Sequence, residues 1–364
     1  MSTNSHYYCV IMAGGLGSRF WPVSRESRPK QFLSYAFSGE SFLKMTYRRM
    51  KDIVPEDNIV VVSLERYRDK VMRELPMLRD INLLLEPFNR NTASCIAYAT
   101  YSILKRDPEA IVLVSPTDQV INDTTAFRST VLRAFGYVSS HDVLMTLGVL
   151  PTRPDTNYGY IQTDGPMMDG RPIRVKTFTE KPGKELAQVF VDSGDFLWNA
   201  GIFIWKASVI ADELKSCAPD IAECWKEWEK YVSTPLEAEY LEEIYPGMPR
   251  TSIDYAVLEK SDKVMAVPAF FDWTDLGNWE SLYEYLAVRD ANGNAIRTAG
   301  KVLARDDEGN IIMSPFKNKL IAVKGLKDFM VIDQGDILLI CPREEQSLSE
   351  FLSELALPEY EEYR

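Results

Sequence analysis

Residues 10–32, VIMAGGLGSRFWPVSRESRPKQF, carry the side chains best suited to chemistry. Three glycines, Gly14, Gly15 and Gly17, follow an apolar run. Arg19, Arg25, Arg28 and Lys30 then surround one acid, Glu26. A glycine turn behind a buried strand lets backbone N–H groups approach anionic oxygens, and neighbouring cations neutralise them. The pattern points to a phosphate-bearing ligand. Two familiar phosphate loops do not fit it. The GGxGxR spacing lacks the GK[ST] ending of a P-loop, and Pro22 and Pro29 oppose the helix that follows a dinucleotide-binding GxGxxG. For a lone GGxG a solvated surface loop would be the better reading; Arg19 and Lys30 behind a strongly apolar strand tip the balance toward phosphate.

Such a turn needs a buried sheet to hold it. Five runs supply strands: YYCVIMA, NIVVVS at 58, INLLLE at 81, AIVLVS at 110 and VLMTLGV at 143. They are apolar throughout rather than alternating, as strands covered on both faces are. Helix-length segments at 41–54, 65–75, 91–107 and 124–140 separate them. This βαβα order predicts an α/β fold on a mostly parallel sheet, with ligands beyond the carboxyl ends of the strands. From 158 the rhythm changes: YGYIQT and RVKTFTEKP read as strands joined by a turn at DGPMMDG, and FLWNAGIFIWKA as a further strand segment. A helical stretch is expected over 208–231, where Trp225, Trp228 and Tyr231 sit at helical spacing and suit a core or interface. SIDYAVLEKS reads as helix, VMAVPAF as strand and NWESLYEYLA as helix. Beyond 292, short strands punctuated by Gly, Asp and Asn predict a small all-β domain closing in a short helix at SLSEFLSEL.

Composition narrows the partners. The 364 residues allow two domains, with 46% hydrophobic and 26% charged residues as in a soluble globular protein. The net charge of -12 argues against nucleic acid or an anionic membrane as partner, while a local basic pocket can still take a small anion. No apolar run reaches membrane-spanning length, and the N-terminus lacks the regions of a signal peptide. Five scattered cysteines without a CxxC pair suit a reducing, cytoplasmic setting. Only His6 and His141 occur, which disfavours a histidine metal site or a His-driven mechanism.

With the turn, EPFNRNTA at 86–93, SPTDQVI at 115–121, YGYI at 158–161, FTEKP at 178–182, WNAGIFIW at 198–205, SIDYAVLEK at 252–260 and WTDLGNWESLYE at 273–284, the chain resembles the sugar-phosphate nucleotidyltransferases. FWPVSRESRPKQFL is closer still to the branch that joins GTP to mannose 1-phosphate, in its short monofunctional form. The resemblance implies a Rossmann-like α/β nucleotidyltransferase domain with a mixed, mostly parallel sheet over 1–291, and a small left-handed β-helix domain with a short terminal helix over 292–364. It implies transfer of GMP to α-D-mannose 1-phosphate, with GDP-mannose and pyrophosphate as products and Mg²⁺ as cofactor. The attacking phosphate is already ionised, so no general base is needed, and catalysis is positioning and charge neutralisation.

By the same resemblance, Gly14, Gly15 and Gly17 would lie against the nucleotide, Arg19 on its β- and γ-phosphates and Lys30 on the α-phosphate. Asp118 and Asp275 would hold the metal ion. Glu86, Pro87, Arg90, Asn91 and Thr92 would meet the nucleoside, and Gly159, Glu180, Lys181 and Asn199 the sugar phosphate. Alternatives stay open. Asp275 is equally suited to cap the helix at 278, with Asp272 its competitor as ligand, and Asn91-Thr92 to cap the helix near 92. Arg25 and Arg28 divide evenly between ligand contact and a solvated or structural role. Gln119, Asn89, Asn157 and Ser94-Cys95 depart from the family pattern; Asn89 and Asn157 replace glycines that a left-handed Asn could mimic. Another sugar or nucleotide, and a catalytically silent nucleotide-sugar-binding subunit, are the competing readings. A homodimer is left open.

Overall fold

Continuous apolar strands and amphipathic helices alternate through the first three quarters of the chain. The computed structural model describes residues 4–15, 17–34, 39–165, 170–286 and 288–364. In chain order the elements are β1 (Tyr7–Met12), α1 (Phe42–Lys51), β2 (Ile59–Leu64), α2 (Arg68–Glu74), β3 (Leu83–Glu86), α3 (Asn91–Arg106), β4 (Ile111–Pro116), β5 (Gln119–Ile121), α4 (Thr124–Ser140), β6 (Leu144–Val149), β7 (Tyr160–Thr163), β8 (Ile173–Thr179), α5 (Lys184–Ser193) and β9 (Phe196–Lys206). Then follow α6 (Ala207–Cys217), α7 (Pro219–Cys224), α8 (Trp228–Tyr231), α9 (Glu237–Ile244), β10 (Val264–Ala269), β11 (Trp273–Asp275) and α10 (Trp279–Tyr285). Strands β12 (Ala295–Thr298), β13 (Lys301–Arg305), β14 (Ile311–Ser314), β15 (Leu320–Lys324), β16 (Phe329–Asp333) and β17 (Leu338–Pro342) lead to α11 (Glu345–Glu354).

These elements form two compact units that interleave along the chain. The first comprises Met1–Gly14, Leu43–Thr117 and Ile121–Trp273; the second comprises Gly15–Phe42, Asp118–Val120 and Thr274–Arg364.

The first unit is built on a nine-stranded sheet of order β3-β2-β1-β4-β9-β6-β10-β8-β7. β1 runs parallel to β2 and β4, β2 to β3, and β6 to β10. β9 is antiparallel to β4, β6 and β7, and β8 to β7 and β10, so seven strands share one direction and two oppose it. All six residues of β2 are buried, which is why its sequence shows no polar alternation. Helix α3 buries every residue from Ala93 to Ile103. The predicted helix over 208–231 is instead three helices, α6 to α8, because Pro219 cannot continue α6 and opens α7 at its first turn. Trp225 is fully buried there and stacks on Tyr98 at 5.6 Å, while Trp228 stacks on Tyr101 at 5.1 Å. The expected helix SIDYAVLEKS is only a π-helical turn, Asp254–Leu258. The centre of the predicted DGPMMDG turn, residues 166–169, lies outside the described residues.

In the second unit, successive strands from β12 to β16 alternate between two sheets. β12, β14 and β16 stack in parallel, closed by antiparallel β17, and β13 pairs in parallel with β15. A buried asparagine ladder fixes the coil length. The Asn294 side-chain oxygen accepts from both nitrogens of Asn310, 16 residues on, and the Asn310 oxygen accepts from the Phe329 amide. The apolar interior joins Phe20, Trp21 and Leu33 of the glycine-turn segment to Trp279, Ile311, Met330 and Leu348.

Candidate active site

In the second unit the site begins at Gly17, whose φ of 66° is left-handed. A Cβ here would strike the Lys30 side chain and approach Ser24 Oγ to 2.8 Å. The next turn, Ser18–Phe20, exposes Arg19, which lines a cavity of about 230 Å³ with Glu280 and Arg343. Pro29 leads into a second single turn, Lys30–Phe32. Lys30 is buried: its ammonium donates to Asp118 Oδ2 at 3.0 Å and to the Leu276 carbonyl, and lies 5.0 Å from the Phe20 ring centroid. The Leu276 amide in turn donates to the Asp118 carbonyl at 3.3 Å, beside the ladder of β5 and β11. Lys30, Asp118 and the residue next to Asp275 therefore meet, although they lie far apart in sequence.

The two carboxylates, Asp118 and Asp275, offer hard oxygen donors suited to a divalent cation that keeps water and phosphate oxygens as its other ligands. No cluster of three or more His, Cys, Asp or Glu side chains arranged for a metal occurs among the described residues. The cap of the helix at 278 comes from Asn278 and not from Asp275: the Asn278 side chain accepts from the Ser281 amide in a reciprocal capping box. Asp272 accepts from Asn122 at 2.6 Å. Arg25 resolves as structural: its guanidinium grips Asp336 with two bonds, at 2.6 and 2.7 Å, and donates to the Pro22 carbonyl. Arg28 is exposed.

In the first unit Gly14 sits over a buried acid. A Cβ on Gly14 would come within 3.3 Å of Glu86 Oε2, and Tyr245 donates to Glu86 Oε1 at 3.1 Å. Burial pushes the Glu86 carboxyl up to about 8, partly opposed by the Tyr245 hydrogen bond. Asn89 donates to the Gly14 carbonyl at 3.3 Å and accepts from the Asn91 amide. The left-handed residue of this turn is Asn91, with φ of 70°, and not Asn89 or Asn157. Arg90 spends its guanidinium on the Tyr245 and Pro246 carbonyls. Thr92 accepts from the Ile253 amide at 2.9 Å, and Asn91 Oδ1 accepts from the Thr92 amide at 2.8 Å at the start of α3. Pro87 is half-buried between Glu86 and this turn.

Gly159, Glu180, Lys181 and Asn199 also come together in this unit. A Cβ on Gly159 would collide with Glu180 Oε2 and lie 3.4 Å from the Asn199 Cβ. The Asn199 amide donates to the Gly159 carbonyl at 2.8 Å, and Lys181 pairs with Glu180 at 2.8 Å. Tyr158 packs edge-on against Trp198 and Trp273 alongside. One member was missed by the sequence reading: Asp254, which accepts from Asn199 Nδ2 at 3.0 Å. Burial, and then the Glu180 charge, hold its carboxyl above the usual range. Its signal was the SIDYAVLEK motif, which marks the segment without singling out the acid.

The description nucleotidyl transferase matches residues 8–290. The chain belongs to the nucleotidyl transferase family. Among curated members it is 35% identical to a mannose-1-phosphate guanylyltransferase of Escherichia coli K12 over 93% of this chain and 71% of that protein. It is 33% identical to one from Klebsiella pneumoniae over 98% of this chain and 76% of the relative. A solved structure from Thermus thermophilus, described as a mannose-1-phosphate geranyltransferase, superposes with a TM-score of 0.84 at 31% identity, covering 97% of this chain and all of that one. The nucleotidyltransferase fold, with its mixed sheet, is thus that of the family. No helix among the described residues is long and apolar enough to cross a membrane.

Proposed function

We propose that the chain transfers GMP from GTP to α-D-mannose 1-phosphate, forming GDP-mannose and releasing pyrophosphate. The similarity to mannose-1-phosphate guanylyltransferases over 93% of the chain carries this reading. The pairing of buried Lys30 with Asp118 gives it a mechanism.

In this reading the backbone of Gly14, Gly15 and Gly17 lies against the nucleotide. Arg19 draws negative charge toward the departing pyrophosphate. Lys30 holds the α-phosphate, where charge grows as the sugar phosphate attacks in line. Asp118 and Asp275 are the residues that would hold Mg²⁺, which when bound neutralises phosphate charge. Lys30 compensates Asp118, so the acid is not left as an uncompensated charge. Glu86, Pro87, Asn91 and Thr92 shape the nucleoside end, with Arg90 holding that turn on the Tyr245–Pro246 backbone. Gly159, Glu180, Lys181 and Asn199 receive the sugar phosphate.

The parallel coils of β12 to β16 support reading 292–364 as a left-handed β-helix closed by α11, with 1–291 as the transferase domain. Scattered unpaired cysteines support a cytoplasmic setting. A homodimer is tested by light scattering. The activity is tested by mixing the protein with GTP, mannose 1-phosphate and MgCl₂ and separating the products. GDP-mannose and pyrophosphate in equal amounts, abolished by EDTA, are expected; their absence overturns the reading.

A further inference from the structure

Asn199 has little left to offer a ligand. Its side-chain oxygen accepts from Thr146 Oγ1 at 2.9 Å and from the Gly201 amide at 3.1 Å. One of its two N–H groups goes to Asp254 Oδ1 at 3.0 Å. A single donor remains, and recognition of neighbouring sugar hydroxyls calls for acceptors as well. The group that Asn199 holds is such an acceptor. Asp254 opens the π-helical turn Asp254–Leu258. Its carboxyl is hydrogen-bonded by Asn199 and by Ser252, near the Glu180 and Lys181 charges.

We propose that Asp254 is a sugar-recognition residue of the nucleotidyl transfer: its carboxyl, held by Asn199 beside the Gly159–Glu180 cluster, reads hydroxyls of the sugar 1-phosphate, and Asn199 is the positioning residue that aims it. This rests on the proposed function. It changes the roles within that site, because Asn199 acts on the sugar through Asp254, and two acids rather than one read the ring. Two carboxyl groups in fixed positions distinguish sugars that differ in the orientation of one hydroxyl, since a misdirected hydroxyl leaves a buried acceptor unmatched.

The test uses Asp254→Asn, which keeps the size of the side chain and an oxygen to accept from Asn199, together with Asn199→Ala. Wild type is first assayed with mannose 1-phosphate and glucose 1-phosphate; no turnover of mannose 1-phosphate would count against the proposed function, and the variants are then read with whichever sugar phosphate wild type prefers. Asp254→Asn should raise KM for that sugar phosphate about tenfold or more and narrow the preference between the two sugars, with KM for GTP within about twofold of wild type. Asn199→Ala should shift the same two quantities in the same direction. A thermal melt accompanies each variant. Unchanged sugar KM and sugar preference in an active, folded Asp254→Asn protein would overturn the proposal. So would an equal rise in both KM values, which is the mark of a merely structural role.

Discussion

Lys30 and Asp118 form an ion pair at 3.0 Å in which the ammonium is buried and the carboxylate remains partly open. Lys30 also donates to the Leu276 carbonyl, so two acceptors fix the cation. Preorganised charge of this kind acts on the transition state without having to reorganise. Lys30→Ala and Lys30→Met should each lower kcat by about 10²–10³, the second keeping the volume and removing only the charge. Asp118→Asn should lose comparable activity while circular dichroism reports an intact fold, because the amide oxygen and the Leu276 carbonyl still receive the ammonium. Near-normal pyrophosphate release from either Lys30 variant would remove Lys30 from the mechanism.

Glu86 gives the protein a pH-dependent stability. Its carboxyl is pushed up to about 8 in the fold, against an ordinary value of 4.5. Between those values the folded protein keeps a proton that the unfolded chain has released, so stability falls as pH rises through the window. Glu86→Gln carries no such ionisation. Wild type should therefore lose Tm relative to Glu86→Gln between about pH 5 and about pH 8.5. Parallel Tm curves would contradict this assignment.

The glycines separate structure from ligand approach. Gly17→Ala places a side chain in a left-handed conformation and against Lys30, and should cost on the order of 10²-fold in kcat by moving that cation. A Cβ at Gly15 meets nothing within 4 Å among the described residues. Gly15→Ala should leave stability within about 0.5 kcal/mol and raise KM for GTP. An unchanged KM would show that the nucleotide does not approach there.

Arg25 ties the glycine-turn segment to the β coils through Asp336, whose carboxyl the guanidinium holds down to about 2. That contribution is present above the ordinary aspartate range and is lost as pH falls toward the lowered value. Arg25→Ala and Asp336→Ala should each lower kcat severalfold and leave sugar KM unchanged, and the double variant should be no worse than the weaker single one. Additive losses would mean that the pair does not work as a unit.

Much of the fold could be read in the sequence because doubly buried strands such as β2 are apolar throughout and helices such as α3 begin and end at recognisable breaks. The break at Pro219 was equally visible in type, yet the aromatic spacing across 208–231 masked it. The site was legible where one short motif holds the group, as at Gly17 and Lys30. It was less legible where long-range register decides. No short motif assigns Arg25, a cation of the same loop as Lys30; a partner 311 residues away makes Arg25 structural. Asp254 escaped for a similar reason, since its partner Asn199 lies on a different strand and the π-turn that presents it has no clear sequence signature.

The central claim is tested most directly by kcat/KM, read as pyrophosphate release, for GTP, ATP and dTTP each paired with mannose 1-phosphate and with glucose 1-phosphate. The account predicts that GTP with mannose 1-phosphate exceeds every other pair. A higher value for any other nucleotide or sugar phosphate would contradict it.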